Sequence, residues 1–132
     1  MKIYKDFNEE IYMSIAKDSG VKQTEKDIAY AKFCYFHNPK KRYSERIDED
    51  AWILGCINKN NFRIIGMATR KEAQGKGLGT MLLNRARQYC YTHNIKKITT
   101  RTFSGKDFYI KAARARIVGK KENDYLMEID VW

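Results

Sequence analysis

Two apolar runs in the middle of the chain give the strongest structural pattern. They cover residues 51–57 and 62–69 and flank the polar segment Lys59-Asn60-Asn61. Asparagine tolerates left-handed backbone, so this segment favours a tight turn between two strands. The second run is apolar almost throughout, which is typical of a strand that is buried on both faces. The pattern therefore predicts a hairpin.

Apolar residues at helical spacing predict two helices before this hairpin. Asn8 caps the first helix, the two acidic residues that follow it suit the helix dipole, and Gly20 ends the helix. Thr24 and Asp27 form a capping pair for the second helix, which ends near Asn38 because a proline follows. The aromatic residues of this second helix are expected to lie mostly in the core: Tyr30, Phe33, Tyr35 and Phe36.

The remaining elements follow from the same two periodicities. A long helix is predicted from Leu78 to about His93, and Ser104 with Asp107 offers a capping pair for a later helix. The predicted strands cover residues 1–7, 95–102, 116–120 and 124–132, and the polar residues 40–47 form a loop or an edge strand. The order is strand, helix, helix, three strands, helix, strand, helix and two strands. It predicts one α/β domain over residues 1–132, because no linker or internal repeat divides the chain.

Positive charge is concentrated in the second half of the chain. The whole sequence has a net charge of +10, from 26 basic and 16 acidic residues. Residues 67–132 hold 14 of the basic and 6 of the acidic residues, and all 14 lie between Arg70 and Lys121. Such a field attracts an anion, so nucleic acid, a membrane surface and a phosphorylated small molecule are the classes to compare. A solvated basic face without a ligand explains the charge equally well.

A glycine-rich loop lies between the second apolar strand and the long helix. Its sequence is Gln74-Gly75-Lys76-Gly77-Leu78-Gly79-Thr80. Alternate glycines leave backbone N–H groups unshielded, and the start of the helix adds partial positive charge, so the loop suits a pyrophosphate. The spacing fits neither a Walker loop nor a dinucleotide-binding fingerprint. The alternative is a loop whose glycines only allow the helix to pack closely on the sheet.

The pattern Gln74-x-x-Gly77-x-Gly79 after a strand resembles the signature of the GNAT superfamily of N-acetyltransferases. Other segments are similar to those that the family has at the same places, namely Met67-Ala68-Thr69, Phe108-Tyr109-x-Lys111, Ile117-Val118-Gly119 and Tyr125-Leu126-Met127-Glu128. The resemblance covers about residues 51–132, and the first 50 residues fit by element order alone. It implies an α+β fold with a mixed, mainly antiparallel sheet flanked by about four helices.

The resemblance also implies a binding site for acetyl-CoA as co-substrate, without a metal. Family members bind it between the fourth and fifth strands, which splay apart. The pantetheine arm would pair with backbone groups of the fourth strand, and the pyrophosphate would lie on the amides from Gly75 to Thr80. The expected cofactor-binding residues are Met67, Ala68, Thr69, Gln74, Gly75, Lys76, Gly77, Leu78, Gly79 and Thr80.

The implied reaction is direct attack of an amine on the thioester. Tyr109 matches the family's general-acid tyrosine, and a phenol with a pKa of about 10 keeps its proton at neutral pH and can donate it to the CoA thiolate. The alternatives are a packing role beside Phe108 for this ring, and Ser104 as a weaker donor candidate. Family members often use a glutamate base, for which Glu45, Asp48, Glu49 and Asp50 are candidates beside water.

Ala113 and Arg114 stand where the family usually has Gly-Phe, which predicts a longer or differently turned end of the late helix. The departure leaves open whether the enzyme is active. An acyl-CoA sensor without turnover stays an alternative, because the fourth strand, residues 62–69, contains no acidic residue. A basic nucleic-acid-binding module is a second alternative, although no recognised signature supports it. A small-molecule amine and a protein amine both remain as acceptor, acyl length is open, and the final strand ending in Val131-Trp132 would suit a homodimer edge.

The cysteine count and the apolar runs bear on the compartment. Three cysteines, Cys34, Cys56 and Cys90, have neither zinc-site spacing nor an even count, which favours a reducing compartment. The longest apolar run covers only residues 51–57, far less than a membrane span, and the N-terminus has no signal-peptide core. We therefore expect a cytoplasmic protein without a membrane partner.

Overall fold

The computed structural model describes residues 1–20, 29–33, 36 and 41–132. The strands are β1 (Ile3–Tyr4), β2 (Arg42–Ile47), β3 (Ala51–Asn58), β4 (Asn61–Thr69), β5 (Lys97–Thr102), β6 (Arg116–Lys121) and β7 (Asp124–Asp130). The helices are α1 (Glu9–Ser19), α2 (Leu78–Thr92) and α3 (Lys106–Ala113), and a 3₁₀ turn covers Lys71–Ala73. The predicted second helix, residues 24–38, lies largely outside the described residues, of which 29–33 are helical.

The strands form one seven-stranded sheet in the order β1-β2-β3-β4-β5-β7-β6. Every neighbouring pair is antiparallel except β4 and β5, which are parallel. The mixed, mainly antiparallel sheet that the resemblance implied is therefore confirmed. The hairpin predicted for the middle of the chain is formed by β3 and β4.

Helices cover both faces of the sheet, and β3 contributes to both cores because its side chains alternate. On one face Ile53 packs in a cluster with Leu82 of α2 and Tyr109 of α3. On the other face Trp52 packs with α1, and its indole N–H donates to the carbonyl of Tyr12 at 3.1 Å. The sheet is thus fixed between two layers of helix.

Residues 42–47 of the polar segment at 40–47 form a strand, so the loop alternative is wrong. β1 pairs only with Arg46 and Ile47, which leaves the first part of β2 at the edge of the sheet, as the other alternative predicted. β2 lies between β1 and β3, and five of its six residues are buried. Its charged residues are paired: Arg46 Nε lies 2.9 Å from Asp6, and Glu45 pairs with Arg85 of α2 at 2.8 Å. Buried charges need such partners, and these partners are 40 residues away in the sequence.

The backbone settles three local predictions. Ser104 does not cap α3; Gly105 holds the N-cap position, and its N–H donates to Thr102 Oγ1 at 2.8 Å. The prediction of a longer or differently turned end of α3 is confirmed, because Ala113 stays helical and the left-handed turn falls on Arg114 (φ 54°). The predicted first strand is confined to Ile3–Tyr4.

The aromatic residues of the second helix are not core residues where the structure describes them. The side chains of Tyr30, Phe33 and Phe36 are 45%, 53% and 57% exposed. Tyr35 lies outside the described residues. The segment therefore offers aromatic surface beside the face of the sheet that α1 covers.

A β-bulge bends β4 near its centre. Leu54 pairs with Gly66 but Gly55 pairs with Ile64, which leaves Ile65 as the extra residue of β4. Gly55 makes room for the buried ring of Phe62, since a Cβ there would lie 2.2 Å from Cζ of that ring. A bulge bends a strand and increases its twist, so it redirects the second half of β4.

Substitution of Gly55 by alanine tests this packing. We expect Gly55→Ala to lower the free energy of unfolding by about 1–3 kcal/mol, because the methyl group overlaps the Phe62 ring. Urea unfolding measures the change, and Gly55→Ala combined with Phe62→Leu should be less destabilised than the sum of the single variants. Strict additivity of the two changes would contradict the contact.

Candidate active site

The two parallel strands separate halfway along β4. β4 and β5 pair from Asn61 and Lys97 only as far as Ile64 and Thr100. Beyond that point β4 continues to Thr69, paired with β3, and β5 continues paired with β7. The backbone groups of residues 65–69 that face β5 therefore have no strand partner in the described chain. The bulge at Ile65 lies at this same point.

The predicted pantetheine segment, Met67-Ala68-Thr69, lines this gap along β4. Met67 packs against the core that α2 and α3 cover, whereas Ala68 belongs to the core under α1. Their side chains thus point to opposite faces, and what the segment offers to the gap is backbone. Such an arrangement suits an extended ligand that forms strand-like hydrogen bonds.

The chain that leaves β4 is anchored before it reaches the glycines. The Arg70 N–H donates to Asp50 O at 2.7 Å, and its guanidinium Nε donates to Glu49 O at 3.0 Å. The Lys71 N–H donates to Asp18 Oδ2 at 2.7 Å. The side-chain amide of Gln74 then donates back to Thr69 O at 2.9 Å. These bonds fix the glycine-rich loop against the end of β4.

The glycines of the loop have two different physical roles. Gly75 (φ 79°) and Gly77 (φ 80°) have left-handed backbone. A Cβ at either position would have no heavy atom within 4 Å outside the neighbouring residues. Gly79 is a close approach: a Cβ there would lie 3.2 Å from Cζ of Phe108 on α3 and 3.7 Å from Thr69 Oγ1. Close packing therefore accounts for Gly79, whereas Gly75 and Gly77 are required by left-handed backbone and leave the loop unshielded.

The loop exposes backbone donors at the start of α2. Gly77 is the N-cap and supplies no side-chain acceptor. The N–H groups of Leu78, Gly79 and Thr80 have no acceptor among the described residues, and Lys76 is exposed beside them. Free amides and the helix dipole together favour an anion at this position.

Tyr109 lies at the point where β4 and β5 separate. Its side chain is 6% exposed and hydrogen-bonds to Thr100, the last β5 residue that pairs with β4. Burial raises the pKa of Tyr109 to about 12, and the hydrogen bond with Thr100 acts in the opposite direction. The phenol is therefore fully protonated at neutral pH and lies beside the gap.

The acidic residues considered as general base do not meet Tyr109. Both oxygens of the Glu45 carboxylate are occupied, by Tyr43 Oη at 2.8 Å and by the Arg85 guanidinium at 2.8 and 2.9 Å. The Asp48 carboxylate accepts from the Lys2 N–H, next to the paired residues of β1 and β2. Glu49 and Asp50 touch Arg70 through their carbonyls. No base is assigned.

The positive charge of the second half is divided over the molecule. Four of its basic residues form ion pairs: Arg85 with Glu45, Lys97 with Glu128, Arg101 with Asp124 and Arg116 with Asp130. Three of these pairs lie on β5, β6 and β7, away from the glycine-rich loop. The sequence analysis did not predict these ion pairs, because each acidic partner is distant along the chain.

The described residues contain neither a metal-binding cluster nor a membrane-spanning helix. No group of three or more His, Cys, Asp and Glu side chains is arranged to hold a metal ion in that part of the chain. No helix in the described ranges is long and apolar enough to cross a membrane.

The sequence matches the model of the Acetyltransferase (GNAT) family over residues 3–112. The chain therefore belongs to this family, and the protein is an acyltransferase. No curated protein matches the sequence.

Solved structures share the fold at low sequence identity. PaiA N-acetyltransferase from Thermoplasma acidophilum, in complex with coenzyme A, is 17% identical, covers 98% of this chain and 99% of its own, and has a TM-score of 0.72. Ribosomal-protein-S18-alanine N-acetyltransferase from Escherichia coli is 11% identical, with coverages of 98% and 93% and a TM-score of 0.69. Aminoglycoside 6'-acetyltransferase type Ii is 15% identical, with coverages of 100% and 98% and a TM-score of 0.75.

The raised pKa of Tyr109 makes a prediction about alkaline stability. The phenol contributes stability that is present below pH 10, the usual pKa, and that is lost as pH rises towards 12, because only the unfolded chain ionises there. We expect Tyr109→Phe to flatten the fall in the free energy of unfolding between pH 10 and 12, by on the order of 2 kcal/mol. Urea unfolding at a series of pH values measures the slope. Parallel profiles for the two proteins would contradict the burial of a neutral phenol.

Proposed function

We propose that the protein transfers an acetyl group from acetyl-CoA to an amine. One observation carries the proposal: the gap between β4 and β5 leads from the free amides of residues 78–80 to the buried phenol of Tyr109. This arrangement suits a ligand with a pyrophosphate at one end and a thioester at the other. The coenzyme A in the PaiA structure supports the same ligand class.

In the proposed complex each part of acetyl-CoA has its own binding groups. The pyrophosphate lies on the amides from Gly75 to Thr80, with Lys76 as a nearby cation. Gln74 holds the loop through Thr69, and the pantetheine arm pairs with the open backbone edge of Met67, Ala68 and Thr69. The thioester then lies near Tyr109, where the strands separate.

The chemistry is direct displacement at the thioester carbonyl. The amine nitrogen forms a bond to the carbonyl carbon, and a backbone N–H of β4 stabilises the oxyanion, a contribution often worth about 3 kcal/mol. The C–S bond breaks, the thiolate takes a proton from Tyr109, and the phenolate recovers one from the acetylated nitrogen. Burial raises the pKa of Tyr109 to about 12, so the phenol holds its proton until the thiolate forms, and the hydrogen bond with Thr100 acts against part of this rise.

The acceptor is an amine whose size the site does not define. One structural neighbour is named for the alanine of a ribosomal protein and another for aminoglycosides, so their names support both protein and small-molecule amines. The exposed aromatic residues Tyr30, Phe33 and Phe36 lie on the segment that precedes β2, and they are candidates for acceptor contacts. An amine panel would separate the two acceptor classes.

Removal of the Tyr109 hydroxyl tests its role as general acid. We expect Tyr109→Phe to lower kcat by about 10²- to 10⁴-fold while acetyl-CoA affinity stays near that of the wild type, because the proton is needed only as the thiolate leaves. Steady-state kinetics on an amine substrate and calorimetry measure the two quantities. Tyr91→Phe is the matched control, since Tyr91 is 59% exposed on α2. Unchanged turnover in Tyr109→Phe would remove this residue as the acid.

A bulky side chain at Gly77 tests the pyrophosphate position. Acetyl-CoA at about 100 times its dissociation constant should stabilise the wild type by about 2.7 kcal/mol, and Gly77→Trp should lose this stabilisation. Gly20→Trp is the matched control because Gly20 has nearly the same φ (81°) and equally empty surroundings at the end of α1. Thermal unfolding measures both variants.

The same unfolding experiment separates the alternatives. Stabilisation by acetyl-CoA that persists in Gly77→Trp would contradict the loop as its site. Stabilisation by a short DNA duplex, steeply weakened by salt, would favour the basic nucleic-acid-binding module. Binding of acetyl-CoA without turnover on any amine would favour a sensor.

A further inference from the structure

Helix α1 contacts the segment that leads from β4 into the glycine-rich loop. The Lys71 N–H donates to Asp18 Oδ2 at 2.7 Å, and Arg70 Nη2 donates to Ser14 Oγ at 3.4 Å. Ser14 and Asp18 are four residues apart in the helix, so their side chains lie on the same face of α1. One face of a helix in the first 20 residues is therefore bonded to the segment that precedes the loop.

The carboxylate of Asp18 caps the turn that follows β4. The 3₁₀ turn Lys71–Ala73 begins after Arg70, whose side chain forms no capping bond. The first N–H groups of such a turn need an acceptor from outside the turn. Asp18 is this acceptor for Lys71, from 53 residues earlier in the chain. A carboxylate that accepts from a backbone N–H forms a charge-assisted bond, which is stronger than a neutral one.

The charge of Asp18 does not itself favour an anion at the loop. Its carboxylate forms no ion pair in the described part of the chain, so the negative charge is not neutralised there by a cation. Lys71 is four residues before Gly75, at most about 14 Å even along an extended chain. A negative charge at this distance repels a pyrophosphate weakly. A favourable contribution of Asp18 must therefore come from the position of the backbone that it holds.

We propose that Asp18 is a positioning residue for the cofactor, an inference that rests on the proposed function. Asp18 holds the 3₁₀ turn, and through it the glycine-rich loop, in the conformation that binds the pyrophosphate. The apparent affinity of a ligand falls with the fraction of protein whose site is in the competent conformation. Without Asp18 the turn loses its bond to α1 at Lys71, whereas the bond from Gln74 to Thr69 remains. The expected result is weaker binding of acetyl-CoA.

Calorimetric titration of the full chain with acetyl-CoA tests the proposal on two matched variants. Asp18→Ala removes the acceptor, Asp18→Asn keeps an oxygen acceptor, and both remove the same charge. The dissociation constant should rise about tenfold in Asp18→Ala, the effect of a lost charge-assisted hydrogen bond, and stay within about threefold of the wild type in Asp18→Asn. Asn8→Ala should leave the constant unchanged. It is the control for a weakened α1, because Asn8 Oδ1 accepts the Ile11 N–H at 3.0 Å at the other end of the helix.

Amide hydrogen exchange without a ligand separates this inference from the proposed function. Asp18→Ala should speed exchange at the Lys71 N–H, because that group loses its acceptor. Asn8→Ala should not speed exchange there. Unchanged exchange at Lys71 in Asp18→Ala would overturn the inference, whether or not the protein binds acetyl-CoA.

The two measurements together decide the role of Asp18. Faster exchange at Lys71 with weaker acetyl-CoA binding in Asp18→Ala, and near wild-type binding in Asp18→Asn, would support it. Equal dissociation constants in all variants would overturn it and leave the proposed function intact. Tighter binding in both Asp18 variants would also overturn it, because charge repulsion alone would then explain the effect. A wild type that does not bind acetyl-CoA would overturn the proposed function and this inference with it.

Discussion

The short parallel pairing of β4 with β5 is the constraint on which the rest of the site depends. The pairing ends at Ile64 and Thr100, yet both strands continue, because β3 holds one and β7 holds the other. A gap flanked by two paired strands is rigid and leaves backbone donors and acceptors open on one edge. The bulge at Ile65, which Gly55 and Phe62 support from the core, sets where the gap begins.

The groups around the gap are held by bonds that converge on its two ends. Thr100 fixes the phenol of Tyr109 at the closed end. Thr69 receives the Gln74 amide at the open end and also lies beside Gly79, so the loop, β4 and α3 meet there. A side chain on Gly79 would press against the ring of Phe108 and lie in contact with Thr69. The glycine therefore positions the helix that carries Tyr109 as well as the start of α2.

The sequence was informative where a local signal decides the structure. The β3–β4 hairpin, the glycine-rich loop and the long helix after it all follow from periodicity or from glycine spacing. The burial of β2 was not predicted, because the partners of its polar residues Glu45 and Arg46 lie on other parts of the chain. Ser104 was predicted as the cap, but α3 begins one residue later, with Gly105 at the N-cap position. The Gly105 N–H donates to Thr102 Oγ1, a contact that the capping pattern of residues 104 and 107 does not include.

The gap itself was implied only by family resemblance, since the register of β4 on β5 is a property of two segments far apart in the chain. Nor does the local sequence show that the amides of residues 78–80 have no acceptor in the described chain, or that burial raises the pKa of Tyr109. Residue types at these positions permit the site, and tertiary packing creates it. That the glycines divide into left-handed positions and a close approach likewise required the fold.

Amide hydrogen exchange with and without acetyl-CoA tests the central claim most directly. The account predicts that the cofactor slows exchange at the amides of residues 78–80 and at those amides of residues 65–69 that face β5. Amides of β4 that already bond to β3 should show no comparable change. Protection that spares the open edge of β4, or that appears only on the β5–β7 face, would contradict the gap as the binding site.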